Sequence, residues 1–331
     1  MNAKILRILK RRSRSVLLLS YFRNHNIEFS KKVGVTCSRG TYNRYGIVCA
    51  HLADFIREIY GRKDMDFSDI TLKTINDFDV YLRKVVKLKP NSVWVYMTTF
   101  KHIITLAQNE GIVSVNPFCG YRNCAEHVDR GFLMENELLD LQRIPVRTKS
   151  MELVRDLFVF SAYTGISYSD LKKLKKSDVR RLFDGNLWIV FRRKKTHTDC
   201  SVRLLETPLG ILEKYSATSK GEAVFRVPCN AYCNLMLVKI MENAGIHRKI
   251  TFHGARHTFA TMLLSNGMPI ETVSRLLGHC NIKTTQIYAK ITNEKISRDM
   301  DLLAELLKDK SHLQMERQKN SHINRRKGKY Y

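Results

Sequence analysis

Apolar side chains recur at three- and four-residue intervals through most of this chain, with polar residues between them. In "TYNRYGIVCAHLADFIREIY", residues 41–60, they fall at Tyr45, Val48, Leu52, Phe55 and Ile59, the stripe of an amphipathic helix. "DITLKTINDFDVYLRKV" predicts a second helix, with Asp69 as its opening cap. "NSVWVYMTTFKHIITLAQNEG" predicts a third, with Val93, Met97, Phe100, Ile104 and Ala107 on one face and Gly111 at its end. Together they make a small all-helical unit over residues 36–115. The period is lost in "VNPFCGYRNCAEHVDRGF", where Pro117, Gly120 and Gly131 mark a linker, placed at 116–134.

A larger mixed unit, 135–308, follows. "SMELVRDLFVFSAYTG" predicts a largely buried helix stopped by Gly165. "LWIVFRR" and "SVRLLE" are β-rich runs around the polar turn "KKTHTDC", so they predict a hairpin. "PCNAYCNLMLVKIMENAG", "ARHTFATMLLSNG" and "PIETVSRLLGH" predict successive helices running into Gly245, Gly267 and Gly278. A last helix, "NEKISRDMDLLAELLKD", carries Ile296, Met300, Leu303 and Leu307 on one side. Residues 1–35 form a basic extension and 309–331 a basic tail expected to be disordered. The expected fold class is mainly α with a small β-hairpin or sheet: an all-helical domain, then a mixed α+β domain.

Charge narrows the function. Of 331 residues, 57 are Lys or Arg and 31 are Asp or Glu, a net charge of +26. The excess lies in the two ends and also inside the chain, as in "DLKKLKKSDVRR" and "FRRKKTH". A distributed basic excess points to nucleic acid as the partner. Lys84, Lys87, Lys89 and Lys101 put positive charge at the loops and helix ends of the first unit, on a face that is either merely solvated or tracks phosphates. The eight cysteines lack metal-type pairing and are read as reduced thiols. The run "VLLLSYF" is short for a secretory core, and no stretch approaches the roughly 20 apolar residues of a membrane span. A soluble cytoplasmic protein is expected.

Candidate chemistry gathers late in the chain. His253 and Arg256 in "TFHGARHTFA" are three apart, hence neighbours at a helix start. His279 follows in "LLGHCNIKTTQIYAK", and Tyr288 lies nine positions further on. An unbroken helix would put Tyr288 on the face opposite His279. Gly278 can end one helix and Asn281 or Thr284 can open another, which lets Tyr288 fold back.

Taken in order, His-x-x-Arg, Gly-His and Tyr resemble the tyrosine recombinase (phage integrase) family, and the likeness extends over residues 36–308. "FSAYTGISYSDLKKLKKSDV" resembles the family's Thr-Gly block, "RRKKTHTDCSVRL" its lysine-bearing β-hairpin, and "PNSVWVYMTTFKHIITLAQNEGIVSVNPF" helices of its core-binding, SAM-like domain. The resemblance implies a site-specific DNA recombinase that needs no metal or cofactor. It implies double-stranded recombination sites as the partner, a tetramer on two duplexes, and a C-terminal helix docked on the adjacent protomer. Tyr288 would be the nucleophile that forms a 3′-phosphotyrosyl link. Arg256, His253 and His279 would stabilise charge on the phosphate, and Lys195 would be the general acid.

The chain departs from the family at Ser167 in "TGISYSD", where an arginine normally stands. In this respect it resembles the integrases of conjugative transposons. Arg193 is either its substitute or a contact to the DNA backbone: in a continuous strand it shares a face with Lys195 while Arg192 points away. Asp170 is expected to orient a neighbour. No arm-type DNA-binding domain is expected in the short N-terminal extension. The alternatives are a DNA-binding relative that has lost catalysis, a type IB topoisomerase, and a metal nuclease. For the last, the acidic stretch "DMDFSD" reads better as helix-capping residues.

Overall fold

Helix-period segments are helices in the computed structural model of the chain, which describes residues 16–126, 128, 131–216, 221–288, 297, 299–305 and 307–308. The chain divides into two units, Met1–Val128 and Asp129–Tyr331.

Among the described residues, the first unit has four α-helices: α1 Leu18–Ser30, α2 Arg39–Tyr60, α3 Leu72–Lys84 and α4 Pro90–Asn109. Their apolar stripes meet in one core, in which Leu19, Phe22, Val48, Leu52, Phe55, Ile75, Phe78, Val93 and Phe100 are almost fully excluded from solvent. Ile59, on the predicted stripe, is instead exposed in the last turn of α2. The cap of α3 also differs from expectation. Thr71 accepts from the Thr74 amide in a reciprocal capping box, whereas Asp69 ends a 3-10 turn and pairs with Arg62. A threonine one residue before the helix reaches the free amides of its first turn, and Asp69 is too far back. Other acids of "DMDFSD" do cap: Asp66 accepts from the Ser68 amide, and Asp64 accepts from the Leu19 and Ser20 amides at the start of α1. Lys84, Lys87, Lys89 and Lys101 are all exposed. Leu18, Leu19 and Phe22 of "VLLLSYF" form the buried face of α1, while Leu17 just before it is exposed.

In the second unit, α5 Glu135–Arg143 leads to α6 Lys149–Thr164, which is buried along most of its length. The short α7 Tyr168–Leu171 precedes a three-stranded antiparallel sheet, β1 Val179–Arg181, β2 Leu187–Arg192 and β3 Asp199–Arg203, in that spatial order. Trp188 pairs with Arg203, and Arg192 with Asp199, across the expected hairpin. Then come α8 Glu206–Ser216, α9 Asn230–Asn243, α10 Gly254–Ser265, α11 Ile270–Leu276 and α12 Lys283–Gln286. α6 is the central element and packs against α5, α8, α9 and α10. Phe158, Phe160, Ile189, Leu237 and Phe252 fill the core around it.

Further along, residues 299–305 are helical, with Met300 and Leu303 exposed, as is Leu307. Ile296, the first 15 residues and the tail 309–331 lie outside the described residues. Among the described residues no helix is long and apolar enough to cross a membrane.

The end of α6 is sterically exacting. Gly165 adopts φ +68°, a left-handed conformation that L side chains rarely take, and a β-carbon there would collide with the Phe259 ring of α10. Gly165→Ala therefore combines backbone strain with overpacking. It is expected to destabilise the second unit by about 1–3 kcal/mol, read as a lower thermal unfolding midpoint.

Candidate active site

Two arginines from distant segments converge at the end of α11. Arg256 lies in the first turn of α10, three residues after His253, and is 4 % exposed. Its guanidinium donates to the Gly165 carbonyl at 2.7 Å and to the Leu277 carbonyl. Arg193 follows β2 and is 7 % exposed. It donates to the same Leu277 carbonyl at 2.8 Å and to the Gly278 carbonyl at 3.2 Å, and its Nε lies 3.5 Å from the Asp170 carboxylate. Burial and the neighbouring Arg193 bring the Arg256 pKa down to about 10. Two cations held this close out of water, beside one carboxylate, form a strong anion-binding potential.

Asp170 holds this arrangement together. Buried at the end of the Thr-Gly segment, it accepts from the Ser167 hydroxyl at 2.7 Å, from the Lys194 amide at 3.1 Å and from Arg193. It thus ties the start of α7 to the hairpin. Ser167 stands as the N-cap of α7 and supports the carboxylate that supports Arg193.

The break between α11 and α12 occurs at Gly278, with φ +59°. A β-carbon there would meet the Cys200 sulfur and would lie 2.6 Å from Arg193 Cδ, so the arginine can approach only a glycine. Asn281 receives the Lys283 amide at 2.9 Å and opens α12, while Thr284 lies within the helix. The turn brings Tyr288 back. Its ring stacks on His279 with centroids 6.4 Å apart and planes 12° from parallel, and it packs on the cluster of Phe259, Leu264 and Leu277. His279 Nδ1 lies 2.8 Å from the hydroxyl of the fully buried Thr285. Burial, then Arg256, Arg193 and Lys195, push the His279 pKa down to about 4, so its ring is neutral near pH 7.

The structure thus brings Arg256, Arg193, His279 and Tyr288 into one cluster. His253 is exposed, and its ring meets Tyr288 through a third residue: His257 sits edge-on to His253 at 4.8 Å and to Tyr288 at 4.9 Å. Neither His257 nor Thr285 stands out in the sequence. The signal for His257 is its position four residues after His253, one helical turn further along the same face.

Strand alternation does not extend past Arg192, so it does not put Arg193 and Lys195 on one face. β2 ends at Arg192, and Lys194 and Lys195 both sit exposed in the turn. The Arg193 amide donates to the Thr198 carbonyl, and His197 at φ +53° closes the loop. Arg193 turns into the protein while Lys195 remains at the surface, near enough to His279 to act on its charge. Thr196 anchors the turn by donating to the Gly278 carbonyl at 3.3 Å. Among the described residues no group of three or more His, Cys, Asp or Glu side chains could hold a metal ion.

The chain is similar in sequence and in fold to known proteins. A sequence model described as the phage integrase family matches residues 132–295, and one described as the phage integrase SAM-like domain matches residues 17–124. The chain is 25 % identical over 280 residues to tyrosine recombinase XerC of Listeria innocua, covering 74 % of this chain and 86 % of that one. It is 28 % identical over 262 residues to tyrosine recombinase XerA of Thermococcus onnurineus, covering 75 % and 77 %. In fold it is similar to a lambda integrase dimer bound to a COC' core site, with a TM-score of 0.66 at 18 % identity over 88 % of this chain and 83 % of that one. It is also similar to the Tn1549 transposon integrase in complex with transposon right end DNA, with a TM-score of 0.66 at 15 % identity over 87 % and 100 %.

The depressed His279 pKa has a thermodynamic consequence. The unfolded chain binds this proton below about 6.5, but the folded chain binds it only near 4. The contribution of His279 is therefore complete above 6.5 and is lost as pH falls toward 4. Thermal unfolding between pH 7 and pH 5 is expected to show a loss of stability in the parent that is smaller in His279→Gln.

Proposed function

The chain belongs to the phage integrase family of tyrosine recombinases, and we propose that it cuts and rejoins DNA through a phosphotyrosyl link at Tyr288. The observation that carries this reading is the buried Arg193–Arg256 pair sharing one carbonyl, with His279 and Tyr288 beside it. A phosphodiester already bears one negative charge and gains more during attack. Two guanidiniums suit that charge, and a bound phosphate would relieve the repulsion between them. Arg193 takes the place of the arginine absent at Ser167, and Asp170 positions it.

In this mechanism the Tyr288 phenolic oxygen attacks phosphorus and forms a 3′-phosphotyrosyl ester. The bond from phosphorus to the 5′-oxygen breaks, and Lys195 supplies the proton that makes that oxygen a hydroxyl. His253 and the neutral His279 donate hydrogen bonds to phosphate oxygens. A returning 5′-hydroxyl reverses the step and frees the phenol, so the energy of the bond is conserved without a nucleotide.

The fold likeness extends to a lambda integrase tetramer bound to a Holliday junction, with a TM-score of 0.65 at 19 % identity over 85 % of this chain and 82 % of that one. We extend this arrangement to the present chain as four protomers on two duplexes, with the exposed Met300, Leu303 and Leu307 as the face that docks on a neighbour. The first unit, α1 included, would bind core-type DNA and the second would carry the chemistry. Such work would take place in the cytoplasm, at the nucleoid.

The test uses nicked duplexes spanning inverted repeats beside the gene. The parent is expected to form a covalent adduct and Tyr288→Phe none. Arg193→Ala should lower cleavage on the order of a hundredfold, as loss of one transition-state donor does. Ser167→Arg in the Arg193→Ala background should recover part of it. The reading fails for Arg193 if Arg193→Ala cleaves like the parent and Ser167→Arg improves nothing. Specific binding without an adduct would identify a non-catalytic relative.

A further inference from the structure

We infer that Thr285 is a positioning residue whose hydroxyl donates to His279 Nδ1 and so fixes the imidazole with its proton on Nε2. The inference deepens the recombinase reading, since it concerns the same histidine. It starts from hydrogen-bond satisfaction. Thr285 is fully buried, and a buried hydroxyl hydrogen needs an acceptor. Elsewhere in the chain helical threonines send theirs to the carbonyl four residues back, as Thr98, Thr99 and Thr105 do. Thr285 makes no such bond. Its one side-chain partner among the described residues is His279 Nδ1, at 2.8 Å.

If Nδ1 carried the ring proton, it would point at the threonine oxygen and the hydroxyl hydrogen would be left without an acceptor. A buried donor left unsatisfied in this way is strongly disfavoured. With the hydroxyl as donor, Nδ1 is an acceptor and the single proton of the neutral ring sits on Nε2. The charged groups acting on the ring are Arg256, Arg193 and Lys195, all cationic, so none favours a second proton. The outcome is a neutral imidazole that still presents an N–H.

Thr285 has a second link to the site. Its carbonyl accepts the Tyr288 amide at 3.0 Å, so one residue of α12 holds the histidine by its side chain and the tyrosine by its backbone. A shift of α12 would therefore change the orientation of both rings together.

The tautomer can be read in the full chain without DNA, using ¹⁵N-histidine labelling and long-range proton–nitrogen correlation, with His279 assigned by its loss in His279→Gln. The parent is expected to show a protonated Nε2 and a bare Nδ1. Thr285→Val, which keeps the shape of the side chain, should give a mixture of tautomers or the Nδ1–H form, and Thr285→Ser should restore the parent pattern. On a nicked site, Thr285→Val is expected to cleave on the order of tenfold more slowly, with Thr285→Ser near the parent. An Nδ1–H ring in the parent overturns the inference, as does a Thr285→Val spectrum identical to the parent. A parent with the Nε2–H ring that forms no adduct supports the inference and sinks the recombinase reading instead.

Discussion

Two guanidiniums held on one carbonyl oxygen set the terms for the rest of this site. Arg193 and Arg256 lie 63 positions apart in sequence, yet both donate to Leu277. Bringing two buried cations together is unfavourable unless acceptors surround them. The chain supplies these acceptors from the end of α11, where the last carbonyls of a helix lack partners within it, from the Gly165 carbonyl after α6, and from Asp170. The glycines follow from the same need. Gly165 turns its carbonyl toward Arg256, and Gly278 leaves room for the Arg193 stem.

Packing and chemistry are thereby coupled. The loop that accepts the arginines continues directly into His279, and the α12 turn beyond it returns Tyr288 to the same cluster. The hairpin carrying Lys195 is pinned to this loop by Thr196 and to the Thr-Gly segment by Asp170. Arg193, Arg256, His279 and Tyr288 are therefore each fixed through contacts with at least one other segment. This suits an enzyme whose intermediate must persist until the strand is rejoined.

Much of this was legible in the sequence, and the failures have physical causes. A helix that must end where the chain turns sharply left shows itself as a glycine, so Gly165 and Gly278 announced their helix ends. Long apolar stripes announced α2, α3, α4 and α6. α1 was hidden because its capping acid, Asp64, lies 45 residues from Leu19, beyond any local pattern. α8 contains Pro208 and Gly210, which read as breakers, although proline is tolerated in a first turn. β1 is three residues long, too short for alternation to register. Alternation singled out Arg193 over Arg192, yet its actual burial depends on a turn closed by His197 in a left-handed conformation, which no periodicity reveals. His257 and Thr285 escaped because their importance lies in what they touch.

The central claim is that Arg193 and Arg256 bind one phosphate beside Tyr288. The most direct measurement is a crystal structure of the full chain with a cleaved duplex and vanadate, which mimics the five-coordinate phosphorus. The account predicts that both guanidiniums turn from Leu277 to oxygens on the same vanadium, with the Tyr288 oxygen bonded to it. A vanadate held by Arg256 alone, with Arg193 still on the Leu277 and Gly278 carbonyls, would contradict it.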